Sequence, residues 1–327
     1  MRLSILDLAP VTEGGDAAQA FRNSLDLAQH AEKWGYHRFW LAEHHNMPGI
    51  ASAATAVVIG HVANGTRKIR VGAGGVMLPN HAPLVVAEQF GTLESLFPGR
   101  IDLALGRAPG SDQATARALR RHLGSSGDSF PEDLTELMNY FHPVDPKPRV
   151  RAVPGSDLTV PLYLLGSSDF SARLAAELGL PFAFASHFAP EYLRVALELY
   201  RRGFRPSAQL SEAYVMIGAG VYCAETDDEA RRLFTSAQQQ ILTLIRGHPD
   251  KLPPPVESME PLWSEQERGA LAQRAKYTAV GSFESVKRRL QEMAHETACD
   301  EIIITSQIYD HAARLRSFEL ASRLLDD

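Results

Sequence analysis

Three histidine clusters, one arginine and one Gly-Ser-Ser turn are the residues of this chain whose types and spacing suit chemistry. Glu43-His44-His45, Asn80-His81 and Ser186-His187 offer imidazoles. An ordinary pKa of about 6.5 lets an imidazole serve as acid, base or hydrogen-bond partner at neutral pH. Adjacent side chains on a strand point to opposite faces, so His44 and His45 do not readily enter one metal's coordination shell. Neither His-x-His nor His-Glu-x-x-His occurs, and no metal site is expected. Gly166-Ser167-Ser168 precedes a helical pattern that starts near Asp169. Free backbone N–H groups at such a helix start, serine hydroxyls and Arg107 from the neighbouring strand suit a phosphate. The same residues also suit plain capping by Ser168 or Asp169, with Arg107 a surface or ion-paired residue. Gly72, Gly74 and Gly75 do not make the dinucleotide spacing, because Met77 stands where the third glycine is required. Glycines inside a strand point instead to a bulge or a close backbone approach to a ligand. No nucleophile elbow and no phosphate-binding P-loop occurs.

These side chains need elements to hold them, and the sequence alternates short β-rich runs with longer helical patterns. Strands are expected at Leu3–Leu8, Arg38–Ala42, Ile69–Met77, Ile101–Leu105, Leu162–Leu165, Phe182–Ala185, Tyr214–Tyr222 and Glu301–Thr305. Several are apolar on both faces, as parallel strands buried under helices must be. Helical register runs through Ala18–Trp34, Pro83–Leu96, Phe170–Leu178, Glu191–Tyr200, Asp228–Leu244 and Ala312–Leu325. Eight β–α units favour an α/β TIM barrel, (β/α)8, over an open doubly wound sheet. Insertions are expected after strands 4 and 7, at about 125–161 and 247–279. Residues 1–327 then form a single domain. The chemistry-bearing residues follow the C-terminal strand ends, where barrel enzymes work. The last of these ends brings Ser306, Gln307, Tyr309 and Asp310. Strand N-termini show no comparable polar enrichment.

A net charge of −6 gives no footprint for nucleic acid. No apolar run reaches the roughly 20 residues of a membrane span. Asp7 and the acidic, Gly-rich sequence behind it do not suit a signal peptide, so a cytoplasmic chain is expected. Two cysteines make neither a disulfide framework nor a thiolate zinc site. With 45% hydrophobic residues the chain can bury a large core. What remains is a small-molecule enzyme.

The segment from Trp40 to Gly110 resembles the bacterial luciferase-like family of flavin-dependent monooxygenases. Its motifs are Glu43-His44-His45, Val71–Pro79, Ala87-Glu88, Phe97-Pro98-Gly99-Arg100 and Leu105-Gly106-Arg107, joined near the end by Val280-Gly281-Ser282 and Asp300–Ser306. The resemblance implies a barrel that binds FMN, or in some relatives F420, at its C-terminal rim. It places His44 near the isoalloxazine as the catalytic residue and Arg107, Ser167, Ser168 and Ser171, with Gly166, at the flavin phosphate. It implies a cis peptide at Gly74-Gly75 beneath the ring, a lid in the second insertion, and a homodimer formed through helices around Ala51–Ala63 and Pro83–Leu96. The light-emitting relatives carry a glutamate where this chain has Ser167, so their aldehyde chemistry does not carry over. The missing nicotinamide fingerprint agrees with reduced FMN supplied by a separate flavin reductase, with O2 and a small organic molecule as co-substrates. His81 and Tyr309 are candidate substrate contacts. An F420-dependent hydride-transfer oxidoreductase and a flavin-binding protein without turnover need the same rim and remain alternatives.

Overall fold

The computed structural model describes residues 1–108, 113–119, 129–145 and 147–325. Nine parallel strands run β1 (Arg2–Asp7), β2 (Arg38–Leu41), β3 (Arg70–Met77), β4 (Ile101–Gly106), β5 (Leu162–Gly166), β6 (Phe182–Phe184), β7 (Val215–Ala224), β8 (Thr278–Ser282) and β9 (Glu301–Thr305). Their order is β6-β5-β4-β3-β2-β1-β9-β7-β8, and β6 also pairs with β7. That last pairing closes eight strands into a TIM barrel. The closing register sets Phe182 beside Val215 and Phe184 beside Ile217.

The eight expected strands are these eight barrel strands, and β8 is an addition that lay unrecognised at the edge of the second insertion. β8 adds to the outside, pairing with Gly220–Ala224 beyond the stretch of β7 that pairs with β9. The helices are α1 (Ala17–Lys33), α2 (Thr55–Gly65), α3 (Pro83–Leu96), α4 (Gln113–Leu119), α5 (Phe130–Phe141) and α6 (Asp169–Leu178). They continue as α7 (Leu193–Gly203), α8 (Asp227–Ile245), α9 (Glu265–Arg274), α10 (Phe283–Thr297) and α11 (His311–Ser322).

Local chemistry fixes several of these ends. The Asp16 side chain accepts from the Gln19 N–H at 2.8 Å to start α1. Pro83 opens α3, where its missing N–H costs nothing. Ser264 and Glu267 form a capping box on α9. Gly179 ends α6 at φ +64°.

Helices and strands meet in a large apolar layer that includes Leu3, Phe39, Val71, Leu103, Phe182 and Ile304. Inside the barrel a second cluster stacks Leu6, Trp40, Ala104, Tyr163, Met216 and Ile303. Below it the floor is polar, which corrects the expectation that strand N-termini lack such residues. Arg38 bonds Asp102 at 2.7 Å and Glu301 at 2.9 Å. Arg70 reaches Asp102 at 2.6 Å, and Ser4 donates to Glu301. Ser4, Arg38, Asp102 and Glu301 are all buried. Dispersed along the sequence, they read as isolated charges, and only barrel closure gathers them.

Pro109, Gly110 and the opening of the first insertion at 125–128 lie outside the described residues. Further along that insertion, α5 packs on α3, and Pro154-Gly155 approaches Gly91 too closely to leave room for a Cβ. The second insertion lies across the rim. Leu252 N–H donates to Val11 O at 2.9 Å and Glu13 N–H to Leu252 O at 2.8 Å. Lys251 Nζ reaches Gly15 O at 2.8 Å. Among the described residues no helix is long and apolar enough to cross a membrane.

Candidate active site

Arg107 leaves β4 directly after Gly106, which lies in register with Leu165 of β5. That register carries Arg107 to the N-terminus of α6. Its guanidinium sits over the Phe170 ring, 4.3 Å from the centroid. Among the described residues no carboxylate pairs with it. Ser168 holds the N-cap position of α6 with extended backbone, yet its side chain makes no capping bond. Its hydroxyl therefore stays available at a helix start whose N–H groups face outward. Ser171 is buried one turn on, and a Cβ at Gly166 would collide with its Oγ. Gly166 is thus fixed by the close approach of α6, and Ser167 lies beside it, half-buried. Among the described residues, a cation with no carboxylate partner, a serine hydroxyl without a capping bond and the N–H groups of a helix start make an anion cradle.

On the facing side of the rim, Glu43 is buried and accepts from two imidazoles at one oxygen. His45 Nε2 and His81 Nε2 each lie 2.9 Å from Glu43 Oε1. The Met77 N–H donates to Glu43 Oε2 at 3.1 Å. Burial pushes this carboxyl up, but the bonds from His81, His45 and Met77 outweigh it and hold it below the ordinary carboxylate range. Three potential metal-ligand atoms on Glu43, His45 and His81 fall within 4.8 Å of one another. No sequence spacing pointed to that group, because the partner of His45 arrives from the turn after β3. Here the three satisfy one another by hydrogen bonding and stiffen the segment that carries His44. His44, half-buried, lies close enough to His187 for their charges to interact.

Strand β3 lies between these two sides. The Gly74-Gly75 peptide is cis. The register between β3 and β4 shifts there, from Gly74 opposite Ala104 to Val76 opposite Leu105. A Cβ on Gly74 would stand 2.9 Å from Leu6 and Trp40, and one on Gly75 2.5 Å from the Ala104 carbonyl. The bulge expected from strand glycines occurs here.

Two weaker sequence candidates have other partners. His81 is tied to Glu43, and Tyr309 donates its hydroxyl to Glu13 O at 2.9 Å, holding the loop after β1. The sequence offers His187 as a rim imidazole and Gln307 as a strand-end residue, but gives no role to Thr305 or Gln307. The two-residue alternation along β9 is the signal that finds the latter pair.

A family model described as luciferase-like monooxygenase matches residues 1–301. A luciferase-like monooxygenase of Escherichia coli (strain K12) is 56% identical over 318 residues, covering 97% of this chain and 95% of the relative. An N-acetyl-S-alkylcysteine monooxygenase of Bacillus subtilis (strain 168) is 33% identical, covering 98% and 97%. Among solved structures, apo-MsnO8 shares 35% identity with a TM-score of 0.87 over 99% of this chain and 98% of its own. Two others share the fold at lower identity. The oxygenating constituent of 3,6-diketocamphane monooxygenase from Pseudomonas putida, in complex with FMN, has 17% identity and a TM-score of 0.75 over 99% and 97%. An F420-dependent secondary alcohol dehydrogenase has 16% and 0.73 over 100% and 99%. With its barrel, its Glu-His-His rim and a family match over most of its length, the chain belongs to the luciferase-like monooxygenases.

Proposed function

We propose that this chain is a monooxygenase that uses reduced FMN and O2 to oxidise a small organic substrate, with the reduced flavin delivered by a separate reductase. The anion cradle carries this reading. Arg107 without a carboxylate, Ser168 without a capping bond and the Gly166 notch over Ser171 fit a flavin phosphate in charge and donor type. When bound, FMN supplies electrons and the oxygen-activating chemistry.

The protein's own residues bind, orient and exclude water. Arg107 and the α6 start anchor the phosphate, and the Gly74-Gly75 backbone offers a flat, side-chain-free seat in the mouth. His44 holds or accepts a proton at its imidazole where oxygen and substrate react. Glu43, His45 and His81 fix the rim on which His44 stands. The segment around Leu252 shields one side of the mouth. The Bacillus subtilis relative named for N-acetyl-S-alkylcysteine puts acylated thioethers into a first substrate screen. Aldehydes, ketones, sulfonates and amines join them.

Stopped-flow mixing of protein loaded with photoreduced FMN against aerated buffer tests this reading. Reoxidation in at least two phases, the later one changed by substrate, is the expected result. His44→Ala keeps the FMN dissociation constant within about threefold and removes the later phase. Single-phase reoxidation of the wild type, with anaerobic turnover on reduced F420, overturns it.

A further inference from the structure

The inward face of β9 carries Ile303 and Thr305 at the two-residue spacing of a strand, and Gln307 follows two residues beyond its end. Ile303 belongs to the cluster inside the barrel, so the next two residues climb from that cluster to the mouth. Thr305 is 7% exposed and Gln307 9%. Thr305 Oγ1, Gln307 Oε1 and Gln307 Nε2 are all buried without a hydrogen-bond partner among the described residues. The Gln307 backbone N–H meets the Tyr222 hydroxyl, which fixes the main chain and leaves the side-chain amide unpaired.

Alongside, Thr305 is in register with Gly220, and Gly218 stands two residues earlier on the same face of β7. A Cβ at Gly218 would collide with His187 Nδ1, so the glycine is what seats this imidazole across the lane from β9. Buried polar atoms without partners are uncommon in folded proteins, because each loses its water and gains nothing in return. Three such atoms on Thr305 at the end of β9 and on Gln307 just beyond it mark where a ligand completes the bonding.

We propose that Thr305 and Gln307, with His187 opposite, form the substrate-recognition wall of this mouth and select a neutral carboxamide over the matching ester or carboxylate. The Gln307 amide presents one donor and one acceptor side by side, and another amide satisfies both. An ester lacks the N–H for Gln307 Oε1. A carboxylate would face that oxygen after losing its water. Arg314 reaches the adjoining Ser306 carbonyl at 3.0 Å, and Asp7 at 2.6 Å already balances its charge. Burial pushes the His187 pKa down to about 4, so this imidazole too is neutral at neutral pH.

The inference rests on the proposed function for the identity of the mouth as the place where substrate binds. The pyrimidine edge of a flavin has the same donor–acceptor chemistry, and the experiment separates the two. Calorimetric titration uses benzamide, methyl benzoate and benzoate, each into the apoprotein and into the FMN-loaded protein. Benzamide is expected to bind roughly tenfold or more tightly than either analogue, since a site built to hydrogen-bond a group rejects molecules that lack it.

Gln307→Leu abolishes that preference and leaves the FMN dissociation constant unchanged. The isosteric Thr305→Val lowers benzamide affinity several-fold, which keeps the test decisive should the Gln307 variant fold poorly. Equal binding of the three probes, no saturable benzamide binding, or an undiminished preference in Gln307→Leu overturns the proposal. So does weakened FMN binding in that variant with the preference intact, because the amide would then serve the flavin. FMN titration of the wild type reports separately on the proposed function, and its failure there leaves the amide preference of the apoprotein to be judged alone.

Discussion

Ser168 is where capping and ligand binding separate. Removing a serine that caps a helix costs typically about 1 kcal/mol of stability. In this structure the Ser168 side chain makes no capping bond at α6. Ser168→Ala is therefore expected to shift the thermal midpoint by less than about 0.5 °C, since losing a cap of about 1 kcal/mol would move it by about 1.5 °C in a chain of this length. FMN affinity falls by roughly fivefold or more, the scale of one lost bond to a charged group. Calorimetry with and without FMN checks both numbers, and a large loss of stability with unchanged FMN affinity would return Ser168 to a structural role. Glu43 shows how much a single residue can organise without touching a ligand. Ionised, buried and accepting from two histidines and a backbone N–H, it ties the segment after β2 to the end of β3 and the turn beyond it.

Among the elements, β2, β4 and β9 carry the polar floor at their N-terminal ends. Arg38 bridges Asp102 and Glu301, and Tyr163, Trp40 and Tyr214 add hydrogen bonds around them. Removing one partner of a buried ion pair leaves an uncompensated charge, which costs about 3–5 kcal/mol. Arg38→Met is expected to lose that much in urea denaturation, Glu301 being the more exposed to the loss because Arg70 still serves Asp102. FMN affinity of the folded fraction stays unchanged, since the floor and the proposed flavin rim lie at opposite ends of the same strands. A matching drop in FMN affinity would show that the two ends are coupled through the barrel.

For the whole molecule, α2 and α3 lie next to each other and expose large apolar side chains. Val57 is 73% exposed, Leu96 64% and Val85 45%. An apolar face of this kind, on the helices expected to form the homodimer, favours a second copy of the chain as its cover. Val57→Glu is expected to yield monomers in sedimentation velocity where the wild type sediments as a dimer. A wild-type monomer, or a variant that remains dimeric, rules out this face. Net charge, the absence of a membrane-spanning helix among the described residues and the barrel mouth agree with a small molecule as the partner of the site.

Sequence alone determined the parts of this protein that rest on local pattern. Eight apolar runs alternating with helical register sufficed for the barrel, because buried parallel strands must be apolar on both faces. Residues that follow strand ends were legible as a rim for the same reason, and Arg107 and the Gly166-Ser167-Ser168 turn could be named before any coordinate. Pro83 and Leu96 bounded α3 correctly, since a first-turn proline and the apolar period are both local signals. β8 and α9 are short elements that follow a proline-rich stretch, with no flanking period to reveal them.

Tertiary structure decided everything that depends on residues far apart in the chain. His45 was seen beside His44, yet its partners at the rim are Glu43 and, through it, His81 from another strand. Arg38, Asp102 and Glu301 look like scattered charges until closure brings them to one floor. His187 lies over Gly218, and Thr305 and Gln307 stay unpaired, because neighbouring strands meet in a register that no single segment encodes. Periodicity fixes which face a side chain takes, and closure of the barrel fixes what it meets there.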